Sequence, residues 1–418
     1  MRRLVPLEQR SVRRERKMRV LHVVQALARN FGGPQTVLQG LIKAQRAAGL
    51  DVEVVSTNVD APHGVLSVPP NCFVEQGGVW IRYSSVQFRP LLFSIDLKTY
   101  FERSLSRYDI VHIHGLYRFP PTYAAYQARK QSVPYIIRPF GSLDPYLYKR
   151  SSRSVLLKRL YERWFDFPNL NGADAIHYVA EEERERAAFL NLKAPSFVVP
   201  NGIDWEEYES LPERGAMRAR WGIGDAPMVL FLGRLHFKKG LDLLVAAFDD
   251  VRRKIPDAQL VIAGPEHDDY GQTVRRWVRE RGLEGVVHFV GPLNRPQVVQ
   301  AYVDADVFAL PSYTEPFPLA AAEAMACGLP VLISDQVNIH AEVTKAGAGV
   351  VTRCDADDVA AAMEALLRDT ERRRRMGDAG RRLVETRYTW PVIEQLLRRE
   401  YEAAIDRHVK RRAVARVG

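Results

Sequence analysis

Two glutamates eight positions apart, an arginine and a lysine five apart, and a pair of adjacent glycines are the residues of this chain with the most chemistry to offer. Glu315 and Glu323 fall in SYTEPFPLAAAEAMACGLPV, where Pro318 suits the first turn of a helix and leaves Glu315 in the loop before it. Ala320, Ala321, Ala322, Ala324 and Ala326 keep that helix thin enough for a ligand or another backbone to come close. A buried small-residue helix with two surface carboxylates would read the same way. Arg234 and Lys239 stand in FLGRLHFKKGLD, after a strand pattern and before a helix. The position suits a diphosphate, whose growing charge on departure the two cations would neutralise without a metal. Two solvated loop cations are the alternative. Asn30-Phe31-Gly32-Gly33-Pro34 has the same placement in the first half. Its glycines let backbone N–H groups approach a phosphate at a helix start, though a plain tight turn would carry the same pair.

The elements that must hold these loops alternate short β-rich runs with helical stretches, the signature of parallel sheets flanked by helices. RVLHVV, DVEVVST, DIVHIHG, VPYIIRP, AIHYVA and SFVVP form one series of strands. After PNGID a second series reads MVLFLGRL, AQLVIAG, VVHFVG, DVFALPS, PVLIS and GVV, with helices expected near 239–253, 268–282 and 355–369. Two doubly wound α/β domains follow, residues 18–204 and 205–385, with a linker near Pro200–Asp204. Helices from about 378 to 410, rich in arginine, are expected to cross back from 386 onward to the first domain. Ligands in such folds sit at the carboxyl ends of strands, in the cleft between the sheets, which is where the unusual residues fall.

A chain of 418 residues is too long for one ordinary α/β core, and 46% hydrophobic with 26% charged residues describes a folded protein. Cys72, Cys327 and Cys354 are far apart and in no metal spacing, which suits a reducing compartment. The net charge of +10 is partly local: residues 1–17 hold seven Lys/Arg against two Glu, a basic extension expected to be disordered. Nucleic acid is not an expected partner. Residues 18–28 imitate a signal peptide, but Arg19, His22 and Gln25 interrupt the apolar run, so a first strand is expected. Asp304-Ala305-Asp306 and Asp355-Ala356-Asp357 match a metal-binding DxD string, yet both fall at element starts and no metal is expected.

Taken together, FGGPQTVLQGLIKAQRAAG, VHIHGLYRFPP, IIRPFGSLDP, VVPNGID, FLGRLHFKKGLDLL and ALPSYTEPFPLAAAEAMACGLPVLISD resemble glycosyltransferase family 4 over nearly all of residues 18–405. The last two strings, in this order and separation, are the specific ones. The resemblance implies a GT-B fold of two Rossmann-like domains facing across a cleft. It also implies metal-independent transfer of a hexosyl group from a nucleotide diphosphate sugar, with retention, to a glycan or lipid-linked acceptor, and no cofactor. It implies roles position by position. Glu323 would take the ribose hydroxyls, and Glu315, with the backbone of Phe317 and Leu319, would hold the donor sugar. Arg234 and Lys239 would grip the diphosphate with help from the backbone of Gly32 and Gly33, and backbone around Gly291 and Leu293 would meet the base. His114 matches a histidine near the anomeric carbon. A phosphate oxygen of the leaving group would be the base.

The chain departs from the family's pattern at Pro316 and Pro318, which remove backbone N–H groups near Glu315, and at Phe140, where relatives often carry histidine. Arg138 and Asp144 are candidate acceptor-side groups or, equally, a structural pair. A GT-B epimerase or phosphorylase, or a non-catalytic nucleotide-sugar-binding partner, would keep parts of the same pattern. Finally, YLYKRSSRSVLLKRLYERWFDF puts Leu156, Leu160 and Trp164 at helical spacing among basic residues. Such a helix either packs its apolar face on the first domain or lies on an anionic membrane, at the cytoplasmic face of the plasma membrane.

Overall fold

The structure, a computed structural model, describes residues 17–27, 33–60, 64–148, 153–266 and 269–417. The expectations for residues 1–16, for Gly32 and for Lys149 and Arg150 lie outside these. Fourteen strands occur among the described residues: β1 (Arg19–Ala26), β2 (Asp51–Thr57), β3 (Cys72–Gln76), β4 (Val79–Ser84), β5 (Ile110–His114), β6 (Tyr135–Arg138), β7 (Ala175–Tyr178), β8 (Ser196–Val198), β9 (Met228–Leu232), β10 (Gln259–Ala263), β11 (Val287–Gly291), β12 (Val307–Leu310), β13 (Val331–Ser334) and β14 (Gly349–Thr352). The helices that matter most for the site are α1 (Gly33–Ala47), α2 (Arg153–Tyr161), α3 (Ala216–Trp221), α4 (Leu241–Lys254), α5 (Arg295–Asp304), α6 (Leu319–Ala326), α7 (Thr370–Arg387) and α8 (Trp390–Val417).

The first eight strands form one sheet in the order β3-β4-β2-β1-β5-β6-β7-β8, and the last six form another in the order β11-β10-β9-β12-β13-β14. All pairings are parallel except β3 with β4. Each chain series starts in the middle of its sheet and winds outward in both directions, so each sheet has a switch point, beside β1 and beside β9, where neighbouring loops diverge and leave a crevice. The β3–β4 hairpin was not expected from the sequence. Its Gly77-Gly78 turn has φ of 56° and 78°, the left-handed pair that a two-residue hairpin needs.

Parallel strands buried on both faces read as near-continuous apolar runs, as VVHFVG and DVFALPS do. One face of the first sheet carries Leu21, Val23, Val111 and Ile113 into one cluster, and the other carries Val20, Val24 and Ile110 into a second. That second cluster is completed by α8, whose Trp390, Ile393, Leu397, Tyr401 and Ala404 are all buried in it. The crossing is held at its start by the linker. Ile203 N–H donates to the Tyr388 carbonyl (2.7 Å), and the Trp390 indole fills the space a Cβ would need at both Gly40 and Gly202. Glycine at these two positions is therefore a packing requirement.

Candidate active site

The second lobe brings three strand exits together. After β9 the chain passes Gly233, whose N–H donates to the Ala263 carbonyl (3.0 Å), so β9 and β10 end side by side. A Cβ on Gly264 would stand 1.9 Å from the Gly233 carbonyl oxygen, which requires glycine there. Arg234 is exposed, and makes no hydrogen bond or ion pair among the described residues. A 3-10 turn, Phe237–Lys239, then leads through Gly240 (φ 66°) into α4. Gly240 lies against the Pro311 carbonyl, 2.0 Å from where a Cβ would sit, which presses the basic turn onto the exit of β12. There Lys239 forms an ion pair with Glu315.

Glu315 is fixed by its own backbone. Its N–H donates to the Gln336 carbonyl (3.2 Å), and its carbonyl accepts from Asn338 N–H (2.9 Å). Phe317 is buried edge-on against Tyr388. Helix α6 begins one residue later than the sequence suggested, with Pro318 as its cap, and the Leu319 N–H is taken by the Phe317 carbonyl (3.1 Å). Ala321, Ala322, Ala324 and Ala326 are fully buried, and the backbone they admit is that of α7, whose Gly380 leaves only 3.1 Å between an added Cβ and Met325. Glu323 is no free surface carboxylate: it accepts from Arg295 (2.7 Å) and from the Tyr302 hydroxyl (3.1 Å). Arg295, which sequence reasoning missed, also pairs with Glu207 and donates to Tyr208. It opens α5 just past Gly291 (φ 71°) and the half-buried Leu293, so the loop after β11 and Glu323 are joined through one guanidinium.

The DxD expectation resolves into structural roles. Asp304 accepts from the Gly215 and Met217 N–H groups (2.6 Å each), holding the start of α3, and Asp306 accepts from Arg218 and from Met228 N–H. Asp355 caps the helix that starts at Ala356.

Across the cleft, Gly33 opens α1, and His114 ends β5 with only 3% of its surface exposed. Its Nε2 lies 2.8 Å from Nδ1 of His22, while its own Nδ1 is buried with no partner among the described residues. The Phe140 ring is 5.7 Å away in a left-handed turn (φ 53°). Arg138 and Asp144 are not a pair. Arg138, 2% exposed, donates to Asn201 and lies over Phe140, with its guanidinium held down to about 10 by burial. Asp144 instead pairs with Arg186 (3.4 Å) and accepts from Thr314 of the second lobe (3.1 Å). That contact, Arg186 to Gln336 (3.2 Å) and Gly141 against Pro316 bring the two lobes together beside Glu315.

Beside Tyr117 and Thr122, which both donate to Asp166, α2 runs into one π-helical turn, Glu162–Asp166. The reading in which its apolar residues pack inward does not hold: Leu156, Leu157, Leu160, Trp164 and Phe165 are exposed, Trp164 by 70%. Arg159 and Arg163 are exposed beside them. Lys158 faces inward, 3.8 Å above the Tyr148 ring and 3.7 Å from the buried Glu162.

Comparison with known proteins agrees with this architecture. The family model described as "Glycosyl transferase 4-like domain" matches residues 32–202, and that described as "Glycosyl transferases group 1" matches residues 213–383. A GDP-mannose-dependent alpha-(1-6)-phosphatidylinositol monomannoside mannosyltransferase of Mycolicibacterium smegmatis is 32% identical over 53% of this chain and 60% of its own length. The chain thus spans about three fifths of the length of that curated relative. A GDP-mannose:cellobiosyl-diphosphopolyprenol alpha-mannosyltransferase of Xanthomonas oryzae pv. oryzae is 27% identical over 82% of this chain and 86% of its own. In fold, the chain is similar to sucrose-phosphate synthase from Thermosynechococcus elongatus (TM-score 0.71, 23% identity, 93% of this chain and 98% of that one). It is also similar to Anabaena HepE in complex with UDP and glucose (TM-score 0.70, 18% identity, 92% and 100%). With its two winding sheets and two matched halves, the chain belongs to the glycosyltransferase family 4-like proteins of GT-B fold.

Proposed function

We propose that the protein transfers a hexosyl group from a nucleotide diphosphate sugar to a lipid-linked or glycan acceptor, with retention of anomeric configuration and without a metal ion. The observation that carries the reading is the pair of cations at the exit of β9: among the described residues Arg234 lies open, and Lys239 is neutralised only by Glu315, a group with its own task once donor is present. Donor binding would exchange partners. Lys239 and Arg234 turn to the diphosphate, and Glu315 turns to hydroxyls of the sugar. Glu323 offers its carboxylate to the ribose from a position already fixed by Arg295 and Tyr302. In transfer, the bond from C1 to the diphosphate oxygen breaks as the acceptor oxygen bonds to C1 on the same face. The acceptor's proton passes to a leaving phosphate oxygen, so no side-chain nucleophile is required. Two cations brought to the departing charge by donor binding supply the main stabilisation.

GDP-mannose is the first donor to try, because the curated relatives above are named for it. Thermal melting with GDP-, UDP- and ADP-sugars tests the reading, since a ligand that binds only the folded state raises apparent stability. One donor class should shift the melt, Glu323→Gln should reduce the shift, and excess EDTA should change neither binding nor turnover. Absence of a shift with every nucleotide sugar would overturn the assignment. Loss of turnover on chelation would remove its metal-independent part, and product of inverted configuration by NMR its retaining part.

The exposed Leu157, Trp164 and Phe165, with Arg159 and Arg163, form a basic apolar face suited to lying on an anionic bilayer at the cytoplasmic side. Among the described residues no helix is long and apolar enough to cross a membrane. Co-sedimentation should therefore depend on anionic lipid and be lost in Trp164→Glu. Binding that is indifferent to lipid charge would refute the docking.

A further inference from the structure

A single hydrogen-bonded chain runs through the first lobe to His114, and its direction can be read from one end. His177 Nε2 lies 2.7 Å from the Val199 carbonyl oxygen, which only accepts, so this nitrogen carries the proton. All four rings in the chain are buried. Their charged neighbour is Arg138, itself set against the buried Glu183, and among the described residues no carboxylate bonds to a ring in the chain. Burial first, with Arg138 adding to it, holds the rings well below the ordinary histidine range, His22 at about 4. Each ring is therefore neutral near pH 7, with one N–H and one lone pair.

The remaining assignments follow in order. His177 Nδ1 must accept, so His112 Nε2 donates across 3.2 Å, and His112 Nδ1 accepts from the Tyr401 hydroxyl at 2.7 Å. Having donated, Tyr401 accepts from the Gln45 amide nitrogen at 3.1 Å. The Gln45 amide oxygen then accepts from His22 Nε2 at 2.8 Å, leaving His22 Nδ1 to accept from His114 Nε2. Every link is satisfied by one arrangement of protons, and Nδ1 of His114 is left as a lone pair. That atom is indeed buried and has no partner among the described residues. Buried acceptors with no donor are uncommon in folded proteins, and this one stands at the carboxyl end of β5, where a doubly wound sheet receives its ligand.

We infer that His22, Gln45, Tyr401, His112 and His177 are positioning residues which fix His114 as its Nε2–H tautomer, so that Nδ1 accepts a hydrogen bond from a hydroxyl of the donor sugar. This rests on the transferase reading above. The ring nitrogens of His22, His112 and His114 also come within 4.8 Å of one another, a spacing that metal ligands share. Both nitrogens of His22 and of His112 are already engaged, so a cation there would break the chain.

The test uses the full chain with 15N-labelled histidine rings. Long-range proton–nitrogen correlation reports the tautomer, and His114 is assigned by difference from His114→Gln. Wild type should show His114 protonated at Nε2. Tyr401→Phe can neither donate to His112 nor accept from Gln45, so the amide is released to turn and His114 should become a mixture of tautomers. Turnover should fall about tenfold, the value of one hydrogen bond, while KM for the nucleotide sugar moves less than about twofold. Gln45→Met keeps the volume, breaks the same link and serves as the second variant should Tyr401→Phe not fold. A His114 that stays purely Nε2–H in the folded variants, or is protonated at Nδ1 in wild type, overturns the proposal. A tautomer change in a protein that turns over no nucleotide sugar removes the sugar-binding half and the transferase reading together, while the directed chain stands.

Discussion

Acidification should weaken the first lobe more than its surface charge would suggest, because four imidazoles are folded in as neutral rings. A histidine whose pKa is lowered by folding contributes no loss while the unfolded chain is also neutral. Stability falls once pH drops below the unfolded value of 6.5, where only the unfolded state takes up protons. Between about pH 7.5 and 5.5 each ring costs somewhat more than 1 kcal/mol, so His22, His112, His114 and His177 together cost about 5 kcal/mol. Asp166 acts in the opposite sense. Burial raises its carboxyl from 3.8 to about 7, so the native state takes up the proton first over this window and returns about 2 kcal/mol. Glu182 and Glu183, also raised by burial, add to that return. The net loss is therefore at most about 3 kcal/mol, a large share of the roughly 5–15 kcal/mol that holds a typical domain. Urea unfolding at fixed ionic strength across the window measures it. The decisive comparison is between variants: His112→Gln should shrink the pH-dependent loss by about 1 kcal/mol, and Asp166→Asn should enlarge it by about 2 kcal/mol. If the midpoints of wild type and both variants run parallel with pH, these groups are not folded in the protonation states argued here and the reasoning fails.

Three further outcomes are expected. Lys239→Ala should lower turnover by 100- to 1000-fold, about 2.7–4 kcal/mol of barrier by analogy with a lost oxyanion donor, and steady-state kinetics with a small change in KM would confirm the cation's place at the departing charge. Gly141→Ala meets two obstacles, a φ of 71° and a Cβ only 2.4 Å from Pro316 Cγ. It should cost on the order of 1–3 kcal/mol by urea unfolding, and Pro316→Ala in the same chain should recover the steric part alone. Trp390→Ala should cost about 3–5 kcal/mol, since neither Gly40 nor Gly202 has a side chain to fill the space, and a loss under 1 kcal/mol would show that the indole is not the clasp described.

Most of the two sheets was legible because parallel strands buried on both faces leave unmistakable apolar runs: all six strands from Met228 to Thr352 were visible that way. The β3–β4 hairpin was not, since it is a polar sheet edge whose chief signal is Gly77-Gly78 between two short β-rich runs. At the site, motif strings pointed to Lys239, Glu315 and Glu323, but no spacing could say that the first two are paired with each other. Arg295 escaped notice because its importance comes from α5 approaching α6, which is tertiary. The same holds for His22, His177 and Tyr401: Tyr401 meets His112 although 289 residues separate them. For Leu156, Leu160 and Trp164 the helical spacing was real, yet which side of it met protein depended on neighbours that a local pattern does not contain.

The return of α8 to the first sheet also bears on how such proteins could be recombined. A single cut at Pro200–Asp204 would send Trp390, Leu397 and Tyr401 away with the wrong partner, leaving the first lobe with an open apolar trough and His112 without its hydroxyl donor. A viable chimera would exchange the second lobe as an insert spliced at two points, one in that linker and one near Thr389, where Ile203 bridges to the departing chain. In physical terms the first lobe is a discontinuous unit, and new pairings of lobes are accessible by cassette replacement more readily than by joining halves.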